Sequence, residues 1–331
     1  MVDLARPAPP RTGSWTNVLL LGGGLALAAL VLRAIDPGRI AGLQNFFIIF
    51  GSLLIEAVPF IVMGAVVSAG IEVFVPARAF DRMATLPKPL QLPVAGIAGF
   101  AFPVCECGSV PVARRLAAKG LSPAAAVTFM LSAPILNPIV IASTYVAYRG
   151  RDTLWAMVLG RSFLGLMAAM AVGWVVAGRS SSEILRPRPD EEHHHESGPR
   201  WSSFAGHLAG DFLFMGRYLV IGAAAAALLQ TFVPQSIIGS VADTPVLALV
   251  AMMGLAFVLS LCSESDAFVA ASFVQFGVGA QLAFLVFGPM VDTKLGILYS
   301  ATFSKGFFRM VVLVVGTVTL MGTLWIEVLV G

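Results

Sequence analysis

Charged residues are scarce in this chain of 331 residues, at 12% of the total. A soluble domain carries about 25%. Hydrophobic residues make up 58%, so the polar groups are too few to cover a water-soluble globule of this length. We therefore expect an all-α integral membrane protein, for which the lipid bilayer is the solvent and first partner.

Cysteine is also rare, and the three residues of this type are Cys105, Cys107 and Cys262. An odd number excludes a fully paired disulfide framework, and Cys-Glu-Cys is not the Cys-x-x-Cys of redox helices. The chain has no Walker A pattern, which excludes direct ATP hydrolysis by that motif. Neither a cofactor, a resident metal nor nucleic acid is expected as a partner.

Long apolar segments are abundant, and each is close to the roughly 20 residues that a spanning helix needs. They cover 15–34, 43–72, 122–147, 152–177, 207–231, 280–300 and 306–329. The first is interpreted as a transmembrane helix, with a signal peptide as the alternative. Two further runs, 90–104 and 245–261, are each interrupted by a polar motif that contains cysteine.

A polar linker at 179–204 divides the chain. Its composition is typical of a flexible segment, and His193-His194-His195 is interpreted as part of that solvated tract rather than as a metal site. The predicted organisation is an N-terminal tail with the first transmembrane helix at 1–42, a first repeat at 43–178, the cytoplasmic linker, and a second repeat at 205–331.

The two repeats are predicted from matching motifs at a nearly constant offset. Phe74-Val75-Pro76 recurs as Phe232-Val233-Pro234, 158 positions later, and Cys105 matches Cys262 at an offset of about 157. Offsets that drift by only about three residues over the repeat are hard to obtain by chance. The sequence therefore predicts an internal duplication.

Positive charge indicates that the repeats have opposite orientations. The loop at 73–92 carries Arg78, Arg82 and Lys88, whereas its counterpart at 232–244 has no Lys or Arg. Because positive charge marks cytoplasmic loops, equivalent loops are expected on opposite sides of the membrane, as in inverted-topology repeats.

Inversion requires an odd number of crossings in each repeat, although each repeat has four apolar elements. We therefore interpret 90–119 and 245–276 as re-entrant hairpins and the other seven elements as spans. Arg149 and Arg151 then fall outside the cell, against the charge rule. Nine simple spans are the alternative.

The cysteine motifs carry polar chemistry at membrane depth. Backbone that is not helical survives there only if it is buried in protein or lines a water-filled cavity. A carboxylate at the bilayer centre costs roughly 2.5–3.5 kcal/mol on insertion scales, so it needs a function or a partner. The candidate substrate-binding residues of these motifs are Cys105, Glu106, Cys107, Ser109, Cys262, Glu264 and Asp266.

A second pair of interruptions lies downstream, at 132–138 and 287–294, where proline breaks each helix. Asn137 and Asp292 occupy equivalent positions in them and are also candidate substrate-binding residues. Lys294 is a further candidate, with Asp292, Asp266 or Glu264 as its partner. Broken helices at corresponding places in two halves are typical of a transporter site at the midplane, although simple structural kinks are the alternative.

The thiols indicate a preference for soft solutes such as copper(I), zinc or trivalent arsenic. If the Cys-Glu-Cys segment is extended, Cys105 and Cys107 point the same way and three thiols converge with Cys262. If it is helical, the site offers two thiols and Glu106. The alternative is that the cysteines pack as small hydrophobic residues. Asp211 lies near a helix start and is expected at the membrane interface.

The chain resembles a known family in both halves. The similar segments are Phe102–Ala113, Lys119-Gly120, Ser132–Pro138, Cys262–Phe268 and Phe287–Lys294. Over roughly 43–329 they look like the predicted permeases related to organoarsenical efflux permeases. The resemblance implies a multi-pass permease of the bacterial inner membrane, and some relatives export trivalent organoarsenicals.

A secondary transporter of a small-molecule or ion solute, not an enzyme, is therefore the leading hypothesis. A proton-coupled cycle and a homo-oligomer are compatible with the sequence. The alternatives are an intramembrane thiol enzyme that passes sulfur or electrons, and a membrane subunit that does not itself transport.

Overall fold

The computed structural model describes most of the chain, namely residues 41–76, 87–102, 104–186, 200–232 and 245–330. The predicted first transmembrane helix, His193-His194-His195 and most of the linker lie outside the described residues. Residues 49–331 form one compact unit, which contains every contact discussed below.

Regular structure in the described residues is helical, apart from an isolated antiparallel bridge between Leu185 and Phe303. The helices are α1 (Ala41–Phe74), α2 (Lys88–Ala98, continued by a 3-10 turn at Gly99–Ala101), α3 (Glu106–Ala118), α4 (Pro123–Leu136), α5 (Pro138–Ala147), α6 (Leu154–Val176), α7 (Ser181–Ile184), α8 (Arg200–Phe232), α9 (Pro245–Leu259), α10 (Asp266–Ser272), α11 (Val278–Phe287), α12 (Thr293–Thr302) and α13 (Phe307–Val330).

Five helical segments of the described chain are long and apolar enough to cross a membrane. They are Gly42–Phe74, Pro123–Ala147, Leu154–Val176, Arg200–Phe232 and Phe307–Val328. Large apolar side chains on them point outward, and Ile55 and Trp174 are each 78% exposed. Such exposure is expected where lipid covers the surface. The predicted class, an all-α integral membrane protein, is confirmed.

The cysteine motif of the first half lies at the tip of a helical hairpin. Ser122 donates to Gln91 at 3.0 Å and Ser132 donates to the Gly96 carbonyl at 2.9 Å, so α2 runs parallel to α4. A four-residue connection, 119–122, leads from α3 into α4, and the two helices pack side by side in opposite directions. Both outer ends of the hairpin therefore lie level with the start of α4. This geometry fits the re-entrant interpretation, which stays a prediction.

The helices of 41–176 and 200–330 follow one another in the same order, α1 to α6 and then α8 to α13. The corresponding helices α6 and α13 pack against each other. Gly160 faces Ile326 near one end and Leu164 faces Gly322 one turn further on, so residue numbers rise along α6 while they fall along α13. These two equivalent helices are therefore antiparallel.

A buried polar network joins α1, α3 and α8. Ser68 donates to Asp211 at 2.7 Å, and the Arg115 guanidinium lies 3.7 Å from both Asp211 and Glu72. Asp211 is only 1% exposed, so its carboxylate is enclosed by protein, while its expected depth at the membrane interface stays a prediction. The neighbouring arginine makes this burial tolerable, because an ion pair lowers the cost of burying a carboxylate.

Candidate functional site

The first motif is built around the start of α3. Cys105 is the N-cap residue, with an extended backbone, and its sulfur accepts a hydrogen bond from the Gly108 amide at 3.4 Å. Glu106 and Cys107 already belong to the helix, and Ser109 donates to the Glu106 carbonyl at 3.0 Å. The segment is thus helical after Cys105, which is the condition under which the sequence predicts two thiols and Glu106 rather than three thiols.

The second motif lies in the loop between α9 and α10 and meets the first directly. Ser263 donates to the Glu106 carboxylate at 3.1 Å, across 157 positions of sequence. It also lies 3.4 Å from the neighbouring Glu264 carboxylate. The loop begins at Ser260, whose φ of 51° is unusual for a residue other than glycine and gives the chain a sharp change of direction.

The meeting of the motifs gathers a cluster of metal-ligating groups, which we call the donor cluster: Glu106, Cys262 and Glu264. One carboxylate oxygen of each glutamate and the cysteine sulfur all lie within 4.8 Å of one another. Glu106 is 1% exposed and Cys262 is 2% exposed, whereas Glu264 is half-buried. Three residues predicted separately from the two halves are therefore brought together.

Arg161 holds the second loop in place. Its guanidinium binds Asp266 at 2.8 Å, the Ser263 carbonyl at 3.1 Å and the Thr144 hydroxyl at 2.9 Å. Arg161 and Asp266 are both nearly fully buried. Arg161 is not among the residues predicted from the sequence, although a lone charge in the middle of an apolar helix was a signal for it.

The downstream breaks position three more predicted residues. Asn137 caps α5 by accepting from the Ile139 amide at 2.9 Å, and Asp292 caps α12 by accepting from the Leu295 amide at 2.6 Å. The Lys294 ammonium lies 3.7 Å from Glu106 and 3.8 Å from Asp292. Asp292 was one of the partners foreseen for this lysine, and Glu106 was not.

Acidic groups outnumber basic ones around the motif loops. Among the described residues, five acidic side chains belong to these loops, contact them, or pair with a cation that does: Glu56, Glu106, Glu264, Asp266 and Asp292. Two basic side chains lie among them, Arg161 and Lys294. Glu56 joins through the Ser265 hydroxyl, which donates to it. Buried charge of one sign needs either protons or a cation.

Several buried polar atoms of the site have no hydrogen-bond partner among the described residues. They are Glu106 Oε1, Glu264 Oε1, Asp266 Oδ1, Asp292 Oδ2, Asn137 Nδ2 and Lys294 Nζ. A buried polar group nearly always has a hydrogen-bond partner in a folded protein, because a buried donor or acceptor without a hydrogen bond costs about 1–3 kcal/mol. Five of these atoms belong to residues of the two motif loops or to residues paired with them, so the polar groups with unused hydrogen-bonding capacity are concentrated around those loops.

Comparison with known proteins gives a consistent picture. A family model described as "Predicted permease" matches residues 42–327. The UPF0718 protein YcgR of Bacillus subtilis is 40% identical over 284 residues, which are 84% of this chain and 96% of the relative. A protein of Streptococcus mutans, named as a putative two-component membrane permease complex subunit, is 38% identical over 252 residues, 74% of this chain and 83% of its own length. No solved structure matches the chain.

Proposed function

Because the chain belongs to a family of predicted permeases, we propose that it is a secondary transporter whose solute binds between the two cysteine motifs. The observation that carries this proposal is the contact of Ser263 with Glu106. This contact joins two interruptions of apolar helices at one buried place, where several polar atoms have no hydrogen-bond partner among the described residues. Discontinuous helices that meet in this way are the usual construction of a transporter site.

The same proposal includes two inverted repeats, 43–178 and 205–331, with cysteine motifs on re-entrant hairpins. Antiparallel packing of the equivalent helices α6 and α13 supports it, because a two-fold axis in the membrane plane reverses one helix relative to its counterpart. The contacts between motif helices and broken helices also occur in matching pairs. Helix α3 of the first half contacts α12 of the second, and their counterparts α10 and α5 contact each other.

The solute is proposed to be small and thiophilic, because Cys262 stands among the carboxylates of the site. The resemblance to organoarsenical efflux permeases adds trivalent organoarsenicals to the solutes worth testing. Placement in the inner membrane of a bacterium, with multiple spans, belongs to the same proposal. The ten residues predicted from the sequence remain its candidate substrate-binding residues, and Arg161 is added as a positioning residue.

The test is solute counterflow in proteoliposomes, run with organoarsenicals, thiophilic oxyanions, metal ions and small sulfur compounds. We expect exchange of at least one of these, and a loss of at least tenfold for Glu106→Gln. Glu183→Gln is the matched control, because Glu183 is exposed and lies outside the site. Absence of exchange for every solute by folded wild-type protein would overturn the transporter proposal.

The relative from Streptococcus mutans is named as a subunit of a two-component complex. By analogy, we propose that this chain also works with a second protein component. The prediction is that an affinity-tagged chain, purified from its own membrane in mild detergent, retains one partner in a fixed ratio. Purification of the chain alone or only as a homo-oligomer, with full counterflow activity, would contradict it.

A further inference from the structure

The donor cluster combines one soft and two hard ligands. We propose that it binds a divalent, moderately thiophilic cation of the zinc type through Cys262, Glu106 and Glu264, and that Lys294 is the counter-ion that this cation displaces. The inference rests on the proposed transporter function, for which it names the substrate class. It follows from the donor geometry, from unmet hydrogen-bonding capacity and from the charge balance.

The geometry suits a small ion after a modest contraction. The three donor atoms lie within 4.8 Å of one another. Ligands on a tetrahedral zinc ion, at bond lengths of about 2.0–2.3 Å, are roughly 3.5 Å apart. Rotation of the two glutamate side chains closes such a difference, and it leaves the fourth position open. An open position is what a site that must both load and release its ion requires.

Unmet hydrogen-bonding capacity at the Glu106 carboxylate also supports a ligand at the donor cluster. This side chain is 1% exposed, yet its Oε1 has no hydrogen-bond partner among the described residues, and the same is true of Glu264 Oε1. Their Oε2 atoms are the ones that lie near the Ser263 hydroxyl. Each glutamate thus has one oxygen near the Ser263 hydroxyl and a second oxygen without a hydrogen bond, which on Glu106 faces the Lys294 ammonium at 3.7 Å.

Lys294 places a positive charge against two carboxylates of the site. Its ammonium lies 3.7 Å from Glu106 Oε1 and 3.8 Å from Asp292 Oδ2, between the two carboxylates, and makes no hydrogen bond within the described structure. A cation that binds Glu106 repels this ammonium, which then has Asp292 as its remaining partner. Metal and lysine therefore compete for the same carboxylate.

The ligand set selects among cations. Mg²⁺ and Ca²⁺ prefer six or more oxygen ligands, whereas zinc and related ions accept sulfur together with oxygen. A soft trivalent centre is better served by several thiolates, but Cys105 Sγ already caps α3, and Cys262 is the cysteine of the donor cluster. When the sulfur–metal bond forms, the Cys262 thiol loses its proton to the solvent.

Direct metal binding tests the proposal without transport. The probes are Co²⁺ and Cd²⁺, titrated into the purified full-length protein in detergent, with ultraviolet and visible absorption as the readout and Zn²⁺ as competitor. We expect one equivalent to bind with a thiolate-to-metal charge-transfer band that Zn²⁺ removes. Cys262→Ser should abolish the band, and Glu106→Gln should weaken binding at least tenfold.

Lys294→Met gives the sharpest result, because misfolding does not produce it. Removal of the competing ammonium should tighten Cd²⁺ binding at least tenfold, while Glu183→Gln leaves it unchanged. A wild-type protein that shows no charge-transfer band, or weaker binding by folded Lys294→Met, would overturn the inference. Counterflow of another solute without metal binding would also overturn it, yet would leave the transporter proposal standing. Metal binding without flux of any solute would support the cation site and overturn the transport proposal.

Discussion

Replacing Gly64 with alanine tests how closely α1 must approach the first cysteine motif. A Cβ atom at Gly64 would lie 2.5 Å from the Cα atom of Gly108 and 3.1 Å from its carbonyl oxygen. Both neighbours are backbone atoms, which cannot rotate away. Gly108 belongs to the first turn of α3, two residues after Glu106, so this contact fixes the position of a donor-cluster residue.

The size of the effect follows from the overlap. Ordinary contact begins at 3.4 Å, so the two helices must separate by about 0.9 Å. Overpacking of a rigid contact costs about 1–3 kcal/mol. The higher helix propensity of alanine stabilises the variant by only about 1 kcal/mol relative to glycine. Gly70→Ala is the matched control on the same helix, because nothing lies within 4 Å of the added methyl group.

Thermal unfolding of both variants in the same detergent, followed by intrinsic fluorescence, measures the difference. We expect Gly64→Ala to be less stable than Gly70→Ala by about 2 kcal/mol, which is the overpacking cost alone, because both variants gain the same helix propensity. Counterflow should also fall for Gly64→Ala, because a shift of α3 displaces Glu106. Equal stability and equal activity of the two variants would refute the close approach of α1 and α3.

Three further predictions concern the ion pair, a helix end and the topology. Arg161→Met and Asp266→Asn should each cost about 3–5 kcal/mol, since each leaves a buried charge unpaired, and the double variant should cost clearly less than their sum; additive costs in chemical or thermal unfolding would contradict the pairing. Lys119→Met should lower stability by about 1.5–3 kcal/mol, because the ammonium donates to two carbonyl groups at the end of α1 at 2.7 Å each, and an unchanged melting midpoint would rule out this role. Arg82→Cys and Asp243→Cys, at positions outside the described residues, should react with impermeant thiol reagents from opposite sides of the membrane, so labelling of both from one side would refute the inverted topology.

The class of the protein and the places where its helices break were readable from the sequence. Apolar runs of spanning length, low charge and interruptions by proline and acid are local properties, and the structure has helix ends at each of these interruptions. The helix that begins directly after Cys105 is the exception. Its capping by a cysteine sulfur leaves no ordinary sequence signal, since Ser, Thr, Asp and Asn are the usual cap residues.

The partners of the charged residues were not readable in the same way. Arg161 reaches Asp266 across 105 positions, and Lys294 approaches Glu106 from the other half of the chain. The sequence offered three acidic partners for Lys294 and none for Arg161. Only the packing of α6 and α12 against the motif loops selects among acids that are chemically alike, because an ion pair depends on a few ångströms of separation.

The sequence by itself determined that this is a membrane protein with two matching halves of motifs, because the cost of placing polar groups in lipid depends on composition and periodicity alone. Tertiary structure decided that Cys262 meets the carboxylates of Glu106 and Glu264 from the other half of the chain. A helical turn after Cys105 assigns its sulfur to the α3 cap, and the meeting of two loops 157 positions apart brings Ser263 to Glu106. Such convergence arises from the packing of whole helices, which no local stretch of sequence encodes.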